Sequence, residues 1–527
     1  MNVKRFQMAG WMSVLGFLLL ITPGYAGTTG KIAGKVSDAK THEPLIGANV
    51  SLVGTTLGAA TDANGNYVIL NVPPGKYDLR FQYIGYQPVV VKGVNVNVDF
   101  TTRIDQALQP SAIEMEEIQV VAERTPLVRE DLTNTQVAIT ADAIRSMPVD
   151  QIREVIRLQA GITEGNDGSL HIRGGRSNEI AYQVNGVSIE NPFNNLQGVG
   201  IATNAVQEVS VSSGTFSAEY GNALSGVVNY VTKEGGNRLT ASLRAYSGGH
   251  VTTHDDIFFG IDNFDAFHNA RIEGTLGGPF LFARDKIKFF LSGVYQKDKG
   301  YLFGIDLYDP SDILLLNESS FVLDPFGDGK PSGSGKIVPM NVRETYNFTG
   351  KLSYRLAPQV KLTYDLIYDK GRRPSGGQFR NFRFNPRGRR FLRTQGVNHS
   401  LGITHTLGKK TFYKLKLSAG ITDAKNWVFD NPQDPRYQAS FNSNVFNNLF
   451  PQTDYLAGGH NLNRARDNTR TYIAKLDLVS QVHPAHELRL GGEFDYFRLE
   501  RETYALLHEE ITGNALLIVP YAWVELN

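Results

Sequence analysis

The sequence predicts a mainly β protein in three parts: a small β-sandwich, a small α+β domain, and an antiparallel transmembrane β-barrel. Three observations carry that reading. Gly (53), Tyr (23) and Phe (29) are abundant while Cys is absent, which suits a turn-rich β protein held by neither disulfides nor a thiolate metal site. Short segments in the second half alternate apolar with charged residues. The connections between those segments are alternately short and long.

The chain's 527 residues leave room for two or three domains. Lys and Arg (53) balance Asp and Glu (52), so net charge points to no nucleic-acid partner. The mean hydropathy is slightly negative, which excludes a polytopic helical membrane protein but not a barrel, whose strands hide an apolar face in every second residue. At the N-terminus, Lys4 and Arg5 precede an apolar run from Trp11 to Ile21 and then Pro23-Gly24-Tyr25-Ala26. A basic start, a short apolar run and a small-residue site predict a cleaved Sec-type export signal over residues 1–26. The run is too short to anchor the chain, since a spanning helix needs roughly 20 apolar residues.

Residues 28–110 carry short strand-like runs closed by turn chemistry. Ile32–Val36 leads to Asp38, Ala48–Val53 to Gly54, Tyr67–Leu70 to Pro73-Pro74-Gly75, and Asp62–Asn66 reads as a hairpin turn. No 3.6-residue period interrupts them, so a β-sandwich is expected. The string from Gly34-Lys35-Val36 through Glu43-Pro44-Leu45-Ile46-Gly47-Ala48 and Thr61–Gly65 to Pro74-Gly75-Lys76-Tyr77 resembles the carboxypeptidase-regulatory-like domain. The resemblance implies a non-catalytic accessory module, with docking and passive spacing both open as roles. His42-Glu43 beside Pro44 reads as a turn rather than a ligand pair.

Residues 111–124 form a linker in which Glu116, Glu117, Ile118, Gln119, Val120, Val121 and Ala122 give an acidic start and a β-prone run. Such a run can pair with a partner's sheet edge. Residues 125–236 begin with a strand and a helix capped by Thr140, then an apolar face of Ile152, Val155, Ile156 and Leu158. Six blocks follow: Gly161-Ile162-Thr163; His171-Ile172-Arg173-Gly174-Gly175; Tyr182–Ile189 around Asn185-Gly186; Val206–Val211; Tyr220-Gly221; and Gly226–Lys233 with Asn229, Thr232 and Lys233. In this order they resemble the plug of TonB-dependent outer-membrane receptors. Asn185 stands where that family usually has Asp; Asn forms the turn before Gly186 equally well. The resemblance implies that Glu116–Ala122 is a TonB box, the segment gripped from the periplasm by TonB. Arg173 is a fixed bidentate donor that could meet a carboxylate of the plug or inner wall, with Glu208 and Glu219 as candidate acceptors. His171 reads as a strand residue satisfied by its neighbours rather than a metal ligand.

Residues 237–527 predict barrel strands near 238–247, 268–277, 286–298, 345–355, 360–370, 396–407, 411–428, 469–481, 487–502 and 517–526. Lys361–Leu366, Tyr413–Ser418 and Leu488–Asp495 show the two-faced alternation expected of a lipid-out, lumen-in wall. Connections at 278–285, 356–359, 408–410 and 482–486 are short, those at 248–267, 299–344, 371–395 and 429–468 long, which puts the long ones outside the cell. Residues 371–395 hold eight arginines (372, 373, 380, 383, 387, 389, 390 and 393) among four phenylalanines. Arg380, Arg383, Arg387 and Arg390 are candidate contacts for an anionic ligand or lipopolysaccharide phosphates; a simply solvated loop is equally open. Asp324–Gly329 reads as a turn, lacking the later ligands of a calcium loop. Plugged transporters have about 22 strands and about ten are counted here, so the sequence reads as an incomplete barrel.

The resemblance, to the Oar/SusC-like branch, implies active, TonB-driven uptake of a ligand too large for porins: a glycan, peptide or siderophore. The alternative is an Oar-like surface adhesion or assembly protein. No catalytic set, cofactor motif or metal cluster points to an enzyme. The implied location is the bacterial outer membrane, with TonB, outer-membrane lipid and lipopolysaccharide, an unidentified ligand and a surface lipoprotein as partners to consider.

Overall fold

A computed structural model describes residues 28–111, 118–121, 135–166, 168–214, 220–221, 223–254, 259–261, 264–283, 286–312, 314–317, 320–323, 331–375, 379–408, 410–437, 458–483, 486–508 and 516–526. The expected export signal, Glu116, Glu117, Ala122, Glu219 and the turn at 324–329 lie outside the described residues.

The first part is a two-sheet sandwich. One sheet centres on Gly30–Asp38, antiparallel to Asn66–Val72 and parallel to Thr101–Arg103 and Gln106–Leu108. The other runs Gly58–Ala60, Asn49–Leu52, Gly75–Gln82, Val89–Val96 and finally Ile118–Val121. Alternate residues point inward, so Ile32, Val36, Val50, Leu52, Leu79, Phe81 and Val91 form one core between the sheets. The turn at 62–66 forms because the Asp62 side chain accepts from the amides of Asn64 and Asn66, both at 2.9 Å. His42 sits in a turn in left-handed backbone, as its neighbours suggested.

The second part is a mixed five-stranded sheet ordered Thr135–Thr140, Val206–Ser213, Gly226–Thr232, Ile180–Val184, Val187–Ser188. Gly226–Thr232 is buried on both faces, as a central strand with a parallel neighbour should be. Thr140 caps the helix Ala141–Ser146 by accepting from the Ala143 amide. Helix Ile152–Arg157 buries Ile152, Val155 and Ile156 of the expected apolar face, but Leu158, expected on that face too, is its C-cap and 59% exposed, because the helix ends before it.

The third part is a single ten-stranded antiparallel sheet in chain order: Thr240–Gly248, Asn269–Pro279, Ile287–Asp298, Arg343–Ala357, Val360–Pro374, Phe391–Gly408, Thr411–Trp427, Asn463–His483, His486–His508 and Leu516–Leu526. All ten expected strands are present. Several run further toward the long-loop end than alternation indicated, because there the outward residues are no longer apolar. The two faces separate by chemistry. On one, Leu243 (80% exposed), Ile272 (52%) and Leu417 (47%) stand clear of the protein. On the other, Ser292, Thr349 and Lys475 are each 2% exposed. Apolar side chains on the open face and covered polar ones behind are the signature of a wall with lipid outside and a filled interior. Phe290, Val294 and Ile367 also point inward and join the core of the second part.

Candidate functional site

The filled interior is where the sequence blocks converge. Asn185 and Gly186 both adopt left-handed backbone (φ 50° and 79°), a two-residue turn that Gly, Asn and Asp enter most easily. The turn is pinned by the terminal strand: the Asn185 amide donates to the Tyr230 carbonyl at 2.8 Å, Asn185 Oδ1 accepts from the Thr232 amide at 3.0 Å, and the Gly186 amide donates to Asn229 Oδ1 at 3.1 Å. Its outer side meets the barrel wall. Asn185 Nδ2 donates to Asp365 Oδ1 at 3.1 Å, Lys351 Nζ donates to Thr232 Oγ1 at 2.8 Å, and Lys416 Nζ donates to the Asn185 carbonyl. Lys351 and Asp365 face each other at 3.3 Å. Asn185, Gly186, Asn229 and Thr232 are thus one junction between turn, terminal strand and wall. The wall residues were not singled out from sequence, although alternation does put Lys361, Asp365, Lys414 and Lys416 on the inward face.

This junction explains the departure at position 185. Asn supplies an amide donor to Asp365, where Asp would oppose one carboxylate with another. Asn185→Asp is expected to destabilise the domain by about 1–2 kcal/mol at neutral pH, the scale of a lost charge-assisted hydrogen bond. Thermal melts should show the loss, and adding Asp365→Asn should recover most of it.

The remaining motif residues spread over the same domain. Arg173 takes left-handed backbone (φ 49°), and its Nη2 donates to Thr135 Oγ1 at 2.8 Å. A Cβ on Gly214 would lie 2.4 Å from Arg173 Nη1, so the glycine makes room for the guanidinium. Glu208, a carboxylate proposed for Arg173, instead accepts from the Val98 amide of the sandwich at 2.9 Å. Register is the reason: Glu208 lies opposite Thr140, whereas Arg173 meets the other end of that strand at Thr135. Gly174 continues the Arg173 turn in left-handed backbone, while a Cβ on Gly175 would fall 2.3 Å from the Ser225 Cβ. Tyr220 packs with Ala181, Ala223 and Val227 and donates to Asp99 Oδ2 at 3.3 Å; Gly221 beside it is exposed. Lys233 donates to the Asn204 carbonyl at 3.0 Å, and burial pushes its pKa down. His171 is satisfied locally by Ser169 and the Gly175 carbonyl.

Two carboxylates at the margins respond to the wall in opposite senses. Burial raises the pKa of Glu234, but Lys361, at 2.6 Å, and Lys351 outweigh it and hold the group at about 2. Burial pushes Glu190 up to about 7, with Asp495 and Glu493 of the wall adding repulsion. A raised carboxyl pKa favours the proton in the folded state. Stability tied to Glu190 is therefore highest at acid pH and falls as pH rises from its unfolded value, roughly 4.3, through about 7. Glu190→Gln should flatten that part of the stability–pH profile.

The sandwich is joined to both neighbours. Lys31 pairs with Glu487 at 3.0 Å, and Asp99 lies 3.7 Å from Arg489 on the same barrel strand. Within its second sheet, Ile118–Val121 runs parallel to the strand Val89–Val96, with Val89 opposite Ile118 and Lys92 opposite Val121. The β-prone run, with its Gln119 and Val120, is thus backbone-paired as the last strand of that sheet.

The arginine-rich loop is folded rather than simply solvated. Arg387 grips Asp306 through Nε at 2.9 Å and Nη2 at 2.7 Å, and Asp309 through Nη1 at 2.6 Å. Its fork is committed to the protein, which corrects the expectation that it reaches out to a ligand. Arg383 lies 5.0 Å over the Phe384 ring, and its carbonyl accepts from the Ile305 amide. Arg390, half-buried, accepts at its carbonyl from the Ser375 amide; Arg380 is exposed. The four arginines do not line one common cavity among the described residues.

A two-faced β wall filled by a small α+β domain defines a plugged outer-membrane barrel protein. Residues 32–120 match the model of the CarboxypepD_reg-like domain, and residues 128–227 that of the TonB-dependent Receptor Plug Domain. The TonB-dependent transporter Oar of Myxococcus xanthus is 25% identical over 82% of this chain and 42% of its own length. The TonB-dependent receptor SusC of Bacteroides thetaiotaomicron is 28% identical over 41% of this chain and 22% of its own. Among solved structures, the FpvAI–pyocin S2 complex superposes with a TM-score of 0.51 over 94% of this chain and 59% of that one, at 11% identity. The ferripyoverdine receptor of Pseudomonas aeruginosa gives 0.50 over 76% and 48%, at 13% identity; both likenesses concern the fold alone. The two domain matches and these relatives support a TonB-dependent receptor, a class of outer-membrane β-barrel proteins. The chain spans less than half the length of the two curated relatives named.

Proposed function

We propose that the protein is an energised uptake receptor: a ligand too large for porins binds from outside, and TonB acts on Ile118–Val121 to unseat the plug. The observation that carries this reading is the junction at Asn185, Thr232, Lys351, Asp365 and Lys416. It fastens the plug to the wall through polar contacts that water can replace one for one. A plug built to stay would gain more from a continuous apolar contact at the same place. Glycans and peptides are the favoured ligand classes, because the chain carries a regulatory-like domain ahead of its plug.

The test is accumulation by cells expressing the full-length protein, with and without an uncoupler that collapses the proton gradient. The probes are labelled oligosaccharides, oligopeptides, ferric siderophores and cobalamin. Uptake predicts that the uncoupler abolishes accumulation of one probe and leaves its surface binding intact. Binding that the uncoupler does not affect, with no accumulation of any probe, would favour the adhesion reading.

A further inference from the structure

The outward face of the wall changes chemistry in steps toward the long-loop end. On the third, fourth and fifth barrel strands the inward positions are fixed by Ser292, Thr349 and Ile367, all buried against the interior. The alternate residues therefore face outward. Leu291 and Leu366 come first, then Phe348 and Tyr368, then the pair Tyr295 and Tyr346 level with Lys370, and last Lys297, Glu344 and Arg372. Tyr295 and Tyr346 are directly paired, with ring centroids 4.8 Å apart. Tyrosines on a lipid-facing wall mark the level of the headgroups. The basic residues one step beyond then stand at the level of headgroup phosphates.

At that level lies a cavity of about 310 Å³ lined by Lys297, Lys299, Glu344, Arg372, Arg389 and Phe391, among others. Its charges do not cancel. Glu344 is engaged by Lys297 at 3.0 Å, and Lys299 is paired with Asp265. Arg372 Cζ lies over the Phe391 ring at 4.1 Å, and its N–H groups make no hydrogen bond or ion pair among the described residues. Arg389 is 5% exposed; its Nη1 donates to the Met340 carbonyl at 2.6 Å, while its Nε has no hydrogen-bond partner among the described residues. Two guanidinium groups with spare donors line the cavity, and neither lining carboxylate nor neighbouring Asp265 is left over to satisfy them. A planar guanidinium fork fits phosphate oxygens, and a buried arginine with an unsatisfied donor is costly unless an anion completes it.

The geometry points to a site for an anionic outer-leaflet lipid: the cavity takes a headgroup phosphate on Arg372 and Arg389, with acyl chains lying along the apolar strip below the tyrosines. A lipid is favoured over a soluble phosphate because the outward-facing residues of the cavity continue directly into that lipid-facing strip. The assignment rests on the outer-membrane placement and not on transport, so it stands or falls separately from the uptake reading.

The test uses the full-length protein extracted from outer membranes in mild detergent, with co-purifying lipopolysaccharide counted by native mass spectrometry and phosphorus assay. Arg372→Gln combined with Arg389→Gln is expected to lower the bound lipid affinity by at least about tenfold, the equivalent of about 1.4 kcal/mol. Arg372→Gln alone, at an exposed position, should lower it severalfold; Arg103→Gln, exposed on the sandwich, should leave it unchanged. Unaltered lipid retention in Arg372→Gln would overturn the site. Delipidated protein that binds inorganic phosphate through Arg372 but does not rebind lipopolysaccharide would overturn the lipid assignment in favour of a soluble anion.

Discussion

Deleting Ile118–Val121 from the full-length protein is expected to weaken its binding to the periplasmic domain of TonB by well over about tenfold. The run is a four-residue strand at the end of its sheet, paired on one side with Val89–Lys92. Its other edge is unpaired among the described residues, so its amides and carbonyls are available to an added strand. A strand added there gains on the order of two to four main-chain hydrogen bonds at about 0.5–1.5 kcal/mol net each. The low end of that range is about fivefold, and the middle, about 3 kcal/mol, exceeds about a hundredfold. Val120→Pro is the sharper variant, because it removes one donor and leaves chain length unchanged. Both variants should keep the surface binding of whichever probe the wild type accumulates and lose only its accumulation. Unchanged TonB affinity in both would sink the assignment of Glu116–Ala122 as the coupling segment. Because the same strand belongs to the sandwich, force applied to it is delivered to a domain already tied to the wall at Lys31–Glu487 and to the plug at Val98–Glu208.

The sequence made the elements legible and left their partners hidden. Alternation with period 2 found all ten wall strands, because a wall between lipid and a filled interior has to sort its residues by face. It also found the Asn185-Gly186 turn and the Thr140 cap, both local devices whose chemistry lies within a few residues. What it could not find were contacts set by register across long separations. Asn185 meets Asp365 from 180 positions away, and Glu208 meets Val98 from 110. Period 2 states which face Asp365 occupies but not what stands opposite. Likewise, Arg387 looked like a free external arginine because its partners, Asp306 and Asp309, lie in a different loop. The parallel pairing of Ile118–Val121 left no local trace either, since a parallel neighbour needs no turn between the two strands.

Lys351→Met is expected to loosen the plug more than any other single wall substitution at the junction. The Lys351 and Asp365 side chains are each 9% exposed and lie 3.3 Å apart, with Thr232 Oγ1 accepting from Lys351 at 2.8 Å. Breaking a buried pair by removing one partner costs about 3–5 kcal/mol, mostly because the remaining charge is left uncompensated. Lys416, which reaches the neighbouring Asn185 carbonyl, takes up part of that charge and places the effect toward the lower end. The loss should be local. Amide hydrogen exchange should quicken in Gly226–Thr232 and at the Asn185 turn, while the outward-facing strands exchange as before. Adding Asp365→Asn removes the orphaned carboxylate and keeps an acceptor for the Asn185 amide, so the double variant should regain a large part of the protection. That pattern separates a polar latch from a mere packing contact. A packing contact would be lost with Lys351 and not restored by Asp365→Asn, whereas a latch is damaged chiefly by the unpaired charge. If the double variant exchanges as fast as Lys351→Met alone, the junction is not a latch, and the case for a plug seated to be unseated loses its main support.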